Sequence, residues 1–113
     1  MIVDDNDHIR RLIANLVWDL AETVVECSDG ADALATYEKH RPDWVLMDVR
    51  MLHVDGITAT RQIVASHADA KVMIVTDYDD ADLRAAALKA GAREYVVKDD
   101  LLSLRRILQG KEL

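Results

Sequence analysis

Cysteine, proline and glycine are all scarce in this 113-residue chain: one Cys, one Pro and four Gly. A lone cysteine, Cys27, excludes an internal disulfide, so nothing argues for secretion. Little proline and glycine beside 50% hydrophobic residues excludes a disordered chain and points to a globular one. No apolar stretch approaches a membrane span and no charged, apolar leader precedes the first structural segment, so the expected location is cytoplasmic, with no membrane partner. Basic residues are outnumbered, 14 Lys and Arg against 21 Asp and Glu, for a formal net charge of −7. Such a balance disfavours direct nucleic-acid binding, which needs clustered cations against the phosphates. The length suits one core, and neither a repeat, a low-complexity tract nor a linker divides it. One domain over residues 1–113 is therefore expected.

What is present is alternation. Apolar runs at residues 1–3, 23–27, 44–47, 71–75 and 94–97 read as strands. Ile9, Leu12, Ile13, Leu16, Val17 and Leu20 recur at the spacing of one helix face. A weaker helical pattern covers 31–40 and ends at Arg41-Pro42. Ile57, Thr60, Ile63 and Val64 suit a third helix, with Asp55 as its cap. Asp79 or Asp80 can cap a fourth, carrying Leu83, Ala86, Ala87 and Ala90, with Gly91 as C-cap. Leu101, Leu104, Ile107 and Leu108 form the last. Five strands alternating with five helices predict an α/β fold with a parallel sheet covered on both faces. The first strand, three residues before Asp4, is short, which suggests a trimmed N-terminus.

In such a sheet all C-terminal strand ends share one edge, where ligands bind. The first strand ends in Asp4-Asp5, the third in Asp48, the fourth in Thr76 and the fifth in Lys98. The second, around Ser28-Asp29, contributes nothing obvious. Three carboxylates at one place must share protons or hold a cation. Hard oxygen ligands suit Mg²⁺, whereas zinc finds no His or Cys at ligand spacing near these ends. Beside Mg²⁺, one carboxylate can attack a phosphoryl group. Thr76 could then hydrogen-bond a phosphoryl oxygen and Lys98 neutralise another. His8, His40, His53 and His67 share no spacing, and Arg10-Arg11 and Arg105-Arg106 read as charge pairs on solvated helix faces.

The stretches IVDD (2–5), VLMDVRM…DG (45–56), MIVTD (73–77) and GAREYVVKD (91–99) resemble the receiver domains of two-component response regulators. The resemblance covers essentially the whole chain. It implies a (βα)₅ flavodoxin-like sandwich with strand order 2-1-3-4-5. It further implies Asp48 as phosphoacceptor, Asp5 and Asp48 as direct Mg²⁺ ligands, Asp4 as an acid reaching the metal through water, and the Arg50 carbonyl as the third protein ligand. Thr76 and Tyr95 match the hydroxyl and aromatic that shift on activation. A histidine kinase would be the phosphodonor, and residues 79–111 the surface for an output partner or a second copy.

Three positions depart from the pattern. Leu52 replaces a proline in the loop after Asp48 and leaves that loop less preset. Asp77 replaces a small residue after Thr76 and places an acid at the phosphodonor's entrance. Asp99 replaces the proline after Lys98, as in receivers joined to helix-turn-helix domains. Two alternatives to the phosphorylated switch follow. Leu52 and Asp77 would suit a constitutive protein-binding module. A phosphohydrolase acting through an aspartyl phosphate would need a second acid where Arg50 stands, so a signalling switch is expected rather than an enzyme.

Overall fold

The computed structural model describes residues 1–110. Strands and helices alternate: β1 (Ile2–Val3), α1 (Asp7–Val17), β2 (Glu26–Cys27), α2 (Ala33–His40), β3 (Val45–Met47), α3 (Gly56–Ser66), β4 (Val72–Thr76), α4 (Ala81–Ala90), β5 (Glu94–Val97) and α5 (Leu101–Leu108). The sheet is parallel, in the order β2-β1-β3-β4-β5. Fold class and strand order agree with the sequence reading.

Strand residues alternate between two apolar layers, as a period of two requires. Val3, Met47, Ile74 and Tyr95 face a core shared with Ala33 and Tyr37 of α2, Ala59 and Ile63 of α3, and Ala87 of α4. Ile2, Leu46, Met73, Val75 and Val96 face the other, against Ile13 and Val17 of α1 and Leu104 of α5. Helices thus cover both faces and leave the strand ends as the open edge. The register aligns Val3, Met47 and Ile74 across three strands, so Asp4 and Asp48 emerge side by side one residue later.

Local chemistry sets the helix ends. Asn6 caps α1, its side chain accepting from the His8 and Ile9 amides. Asp55 caps α3 and Asp80 caps α4 in the same manner. Gly91, at φ +112°, closes α4 in the left-handed conformation glycine tolerates best. Arg41 takes a similar conformation after α2, directly before Pro42.

Several elements differ from the periodicity. The strand expected at 23–27 is reduced to Glu26–Cys27, because β1, its sheet partner, has only two paired residues. The helix expected over 31–40 begins with a 3₁₀ turn, Gly30–Asp32. Leu12 and Leu20 lie exposed, since α1 buries only the stripe through Ile13 and Val17 and yields to a 3₁₀ turn at Trp18–Leu20.

Gly56 opens α3 where the chain passes over the strand edge. A Cβ there would stand 1.8 Å from the Asp48 carbonyl oxygen. Gly56→Ala is expected to destabilise the fold by at least ~2 kcal/mol, the scale of overpacking a tight interior. Urea unfolding measures this, and an unchanged midpoint would contradict the close packing.

Candidate functional site

The five strand ends bring together most of the residues the sequence singled out. Asp4 and Asp48 are buried and Asp5 is exposed. One carboxylate oxygen from each can lie within 4.8 Å of the others. Thr76, at the end of β4, is fully buried, and β5 delivers Lys98. The Lys98 amide donates to the Thr76 carbonyl at 2.7 Å, which ties the last two strand ends together.

Lys98 is the cation that faces the acids. Its Nζ lies 2.9 Å from Asp4 Oδ2 and donates to Asp48 Oδ1 at 3.2 Å. The contact with Asp4 is an ion pair without hydrogen-bond alignment, so Asp4 Oδ2 remains a buried oxygen with no donor. Asp4 Oδ1 accepts from the Asn6 amide at 2.9 Å, which fixes the carboxylate plane. Burial acts to lower the Lys98 ammonium, but its close contact with Asp4 and the charges of both acids outweigh this and raise it above its ordinary value. Asp48 moves the opposite way for an ion-paired acid. Burial, followed by repulsion from Asp4, pushes its carboxyl up to about 6 despite Lys98.

One ammonium against three carboxylates leaves the edge electron-rich. All three acids offer hard oxygen, and Asp4 Oδ2 is a buried acceptor that pairs with the Lys98 ammonium but receives no aligned hydrogen bond. A small divalent cation of the Mg²⁺ type fits this donor set, and the residues present could hold it.

The remaining candidates surround this centre. Thr76 Oγ1 accepts from the Tyr78 amide at 3.3 Å. Tyr95 is buried and its hydroxyl donates to the Tyr78 carbonyl at 2.5 Å, while the Arg84 guanidinium stacks 4.5 Å from its ring centroid. Arg50 lies in the loop between β3 and α3, with its guanidinium 4.6 Å from the Tyr78 ring centroid. Asp77 and Leu52 are both exposed, Leu52 to 79%.

The chain matches, over residues 1–109, the family described as the response regulator receiver domain. It belongs to that family. The receiver is 36% identical over 99 residues to the chemotaxis protein CheY of Bacillus subtilis, covering 87% of this chain and 82% of CheY. It is 33% identical over 103 residues to the transcriptional regulatory protein DegU of Brevibacillus brevis, covering 88% of this chain but only 43% of DegU. Among solved structures, a LuxR-family response regulator from Aurantimonas superposes with a TM-score of 0.87 at 30% identity, over 99% of this chain and 85% of the other. The CheX-CheY-BeF₃-Mg²⁺ complex from Borrelia burgdorferi superposes at 0.86 with 26% identity, over 96% and 85%. Receiver domains act as signalling switches that bind Mg²⁺ at an acidic pocket.

Sequence reasoning missed four residues of this receiver. Asp29, at the β2 end that seemed to contribute nothing, is buried and accepts from the amides of Ala31, His53 and Val54. The available signal was an Asp-Gly pair one residue beyond a strand, the same pair that recurs at Asp55-Gly56. Arg10 is no solvated charge: it bonds Glu26, Asp7 and the Asp4 carbonyl. Arg105 likewise ties α5 to α1 through the Leu16 carbonyl and to the turn after α1 through Asp19. His67 is largely buried between Glu38 and Arg41. Nothing in the spacing of Arg10, Arg105 or His67 announces partners far along the chain.

The raised Asp48 carboxyl has a consequence for stability. Between its ordinary pKa of 3.8 and about 6, the folded chain holds a proton there that the unfolded chain releases. Stability from this group therefore falls as pH rises through that window. The gap corresponds to at most ~3 kcal/mol, and relaxation reduces it. Asp48→Asn is expected to stabilise the metal-free receiver by about 1–2 kcal/mol at pH 7.5 and by almost nothing at pH 4. Urea unfolding in chelator at both pH values measures the difference. Equal offsets at the two values would show that Asp48 is not strained by its surroundings.

Proposed function

We propose that this chain is one receiver domain of a two-component system, accepting a phosphoryl group on Asp48 from a histidine kinase. The observation that carries this reading is the convergence of Asp4, Asp5 and Asp48 on one edge with Lys98 against two of them. Asp5 and Asp48, with the Arg50 carbonyl, would bind Mg²⁺ directly, and Asp4 through water. Bound there, Mg²⁺ would neutralise charge on the phosphoryl oxygens and on the attacking carboxylate.

The protein's own groups do the rest. An Asp48 carboxylate oxygen forms a bond to phosphorus as the phosphorus–nitrogen bond to the kinase's imidazole breaks, and the electron pair leaves with the ring nitrogen. Lys98 is placed to follow the negative charge from the carboxylate to a phosphoryl oxygen, because its Nζ already donates to Asp48 Oδ1. Thr76 Oγ1 is the hydroxyl that would turn to another phosphoryl oxygen, releasing the Tyr78 amide it now holds. Tyr78 also accepts the Tyr95 hydroxyl, so Thr76 and Tyr95 share one loop residue. This link supports a change at the phosphoryl site shifting the population of the α4–β5–α5 face.

That face, residues 79–111, would engage a second copy or an output partner; Lys111 and the end of the 1–113 domain lie outside the described residues. Because the chain spans less than half of DegU and more than four-fifths of CheY, the output could be an attached domain or a separate protein. The chain works as a cytoplasmic switch rather than a turnover enzyme, and neither nucleic acid nor membrane is a direct partner. No described helix is long and apolar enough to cross a membrane.

A second reading draws on Asp77, an exposed acid next to Thr76. As a constitutive binding module, the domain would engage its partner equally with and without a phosphoryl mimic.

With phosphoramidate and Mg²⁺, wild-type chain is expected to carry an acid-stable, base-labile phosphoryl group, and Asp48→Asn none. Lys98→Ala should slow labelling ~10²-fold, as loss of one charge-stabilising donor does. Asp77→Ala should speed it several-fold by removing an anion at the entrance. Phosphate-affinity electrophoresis measures all four. Unlabelled wild type would leave the constitutive reading.

A further inference from the structure

We propose that Asp29 is a positioning residue for the phosphoacceptor site, holding the loop between β3 and α3 in the shape that aims the Arg50 carbonyl. This rests on the reading of Asp48 and Arg50 given above. Asp29 sits after β2, at the far edge of the sheet, yet its carboxylate reaches across to that loop. Oδ1 accepts from the His53 amide at 2.9 Å, and Oδ2 accepts from the Val54 amide at 3.2 Å and from Ala31 at 2.7 Å.

Only an anion serves here. All three partners are N–H donors, so an asparagine in either orientation would set an NH₂ against at least one of them. Burial acts to raise the Asp29 carboxyl, but the bonds from His53, Ala31 and Val54 more than offset it and hold the pKa below the ordinary range. The imidazole of His53 is also near, with Nδ1 at 3.7 Å, but it is exposed and adds little.

The loop needs such a latch because its own sequence does not stiffen it. Leu52 stands at the exposed tip and packs on little, and it lacks the ring by which a proline would fix the backbone there. The loop is instead fixed at its ends. The Gly56 amide donates to the Val49 carbonyl at 2.7 Å, next to Asp48. Gly30, beside Asp29, lets the Val54 carbonyl approach to where a Cβ would stand 2.3 Å away. Arg50 lies between these two anchors. Releasing one of them lets its carbonyl sample directions in which it cannot act with Asp5 and Asp48.

The test is Mg²⁺ binding by calorimetry, together with the Mg²⁺ dependence of phosphoramidate labelling and amide exchange at His53 and Val54. Asp29→Asn is expected to weaken Mg²⁺ binding about tenfold, the low end of what loss of an outer-shell partner costs. Its labelling rate should return to near wild type at saturating Mg²⁺, a split that general misfolding would not give. The His53 and Val54 amides should lose protection while those of β4 keep theirs. Adding Leu52→Pro to Asp29→Asn should recover most of the lost affinity by presetting the loop. If Asp29→Asn does not fold, Asp29→Glu keeps the charge but displaces it, and should show the same split at smaller size. Wild-type affinity and protection in a folded Asp29 variant would overturn the proposal. If wild type itself binds no Mg²⁺, the site reading fails, while unchanged exchange at His53 and Val54 in the variant would separately overturn the latch.

Discussion

Repulsion between carboxylates is the constraint on which this structure turns. The sheet register places Asp4 and Asp48 side by side, buried, at the end of adjacent strands, with Asp5 next to them. Two apolar layers hold the strands in that register, so relaxing the repulsion would mean moving the core. Lys98 relieves it in part, from a strand that is not adjacent to β1. The resulting tension, visible as an Asp48 carboxyl at about 6, is what a divalent cation or a phosphoryl group would resolve.

The loops around this edge show how rigidity and freedom are divided. The loop from β3 to α3 is tied at both ends, by Asp29 and by Gly56. The loop from β4 to α4 is held more loosely, through single bonds of Tyr78 to Thr76 and Tyr95. A metal-binding loop benefits from preorganisation, whereas a loop that transmits a change must have two arrangements of similar energy. The difference in fastening matches these two demands.

Much of the fold was legible because it depends on local pattern. Unbroken apolar strands, helix spacing and caps at Asp55, Asp80 and Gly91 all act within a few residues. The grouping of Asp4, Asp5, Asp48, Thr76 and Lys98 was legible for a different reason: a parallel sheet collects its strand ends on one edge. Asp29 escaped notice because its partners are backbone amides 24 and 25 residues away, and backbone donors leave no mark on side-chain identity. Arg10 and Arg105 escaped for a related reason. An arginine on a helix looks solvated until a distant acid or carbonyl is placed beside it. The shortness of β2 follows from how few residues β1 offers it, a property of pairing and not of residues 23–27 themselves.

The most direct test of the account is an amide NMR titration with beryllofluoride, in the presence and absence of Mg²⁺. With Mg²⁺, the expected result is saturable shifts at Asp4, Asp5, Asp48, Thr76 and Lys98, continuing through Tyr78 and Tyr95 into α4. Without Mg²⁺, these shifts should be absent. Shifts that ignore Mg²⁺, or that stop at the strand edge without reaching Tyr95, would contradict a metal-dependent switch built on this carboxylate cluster.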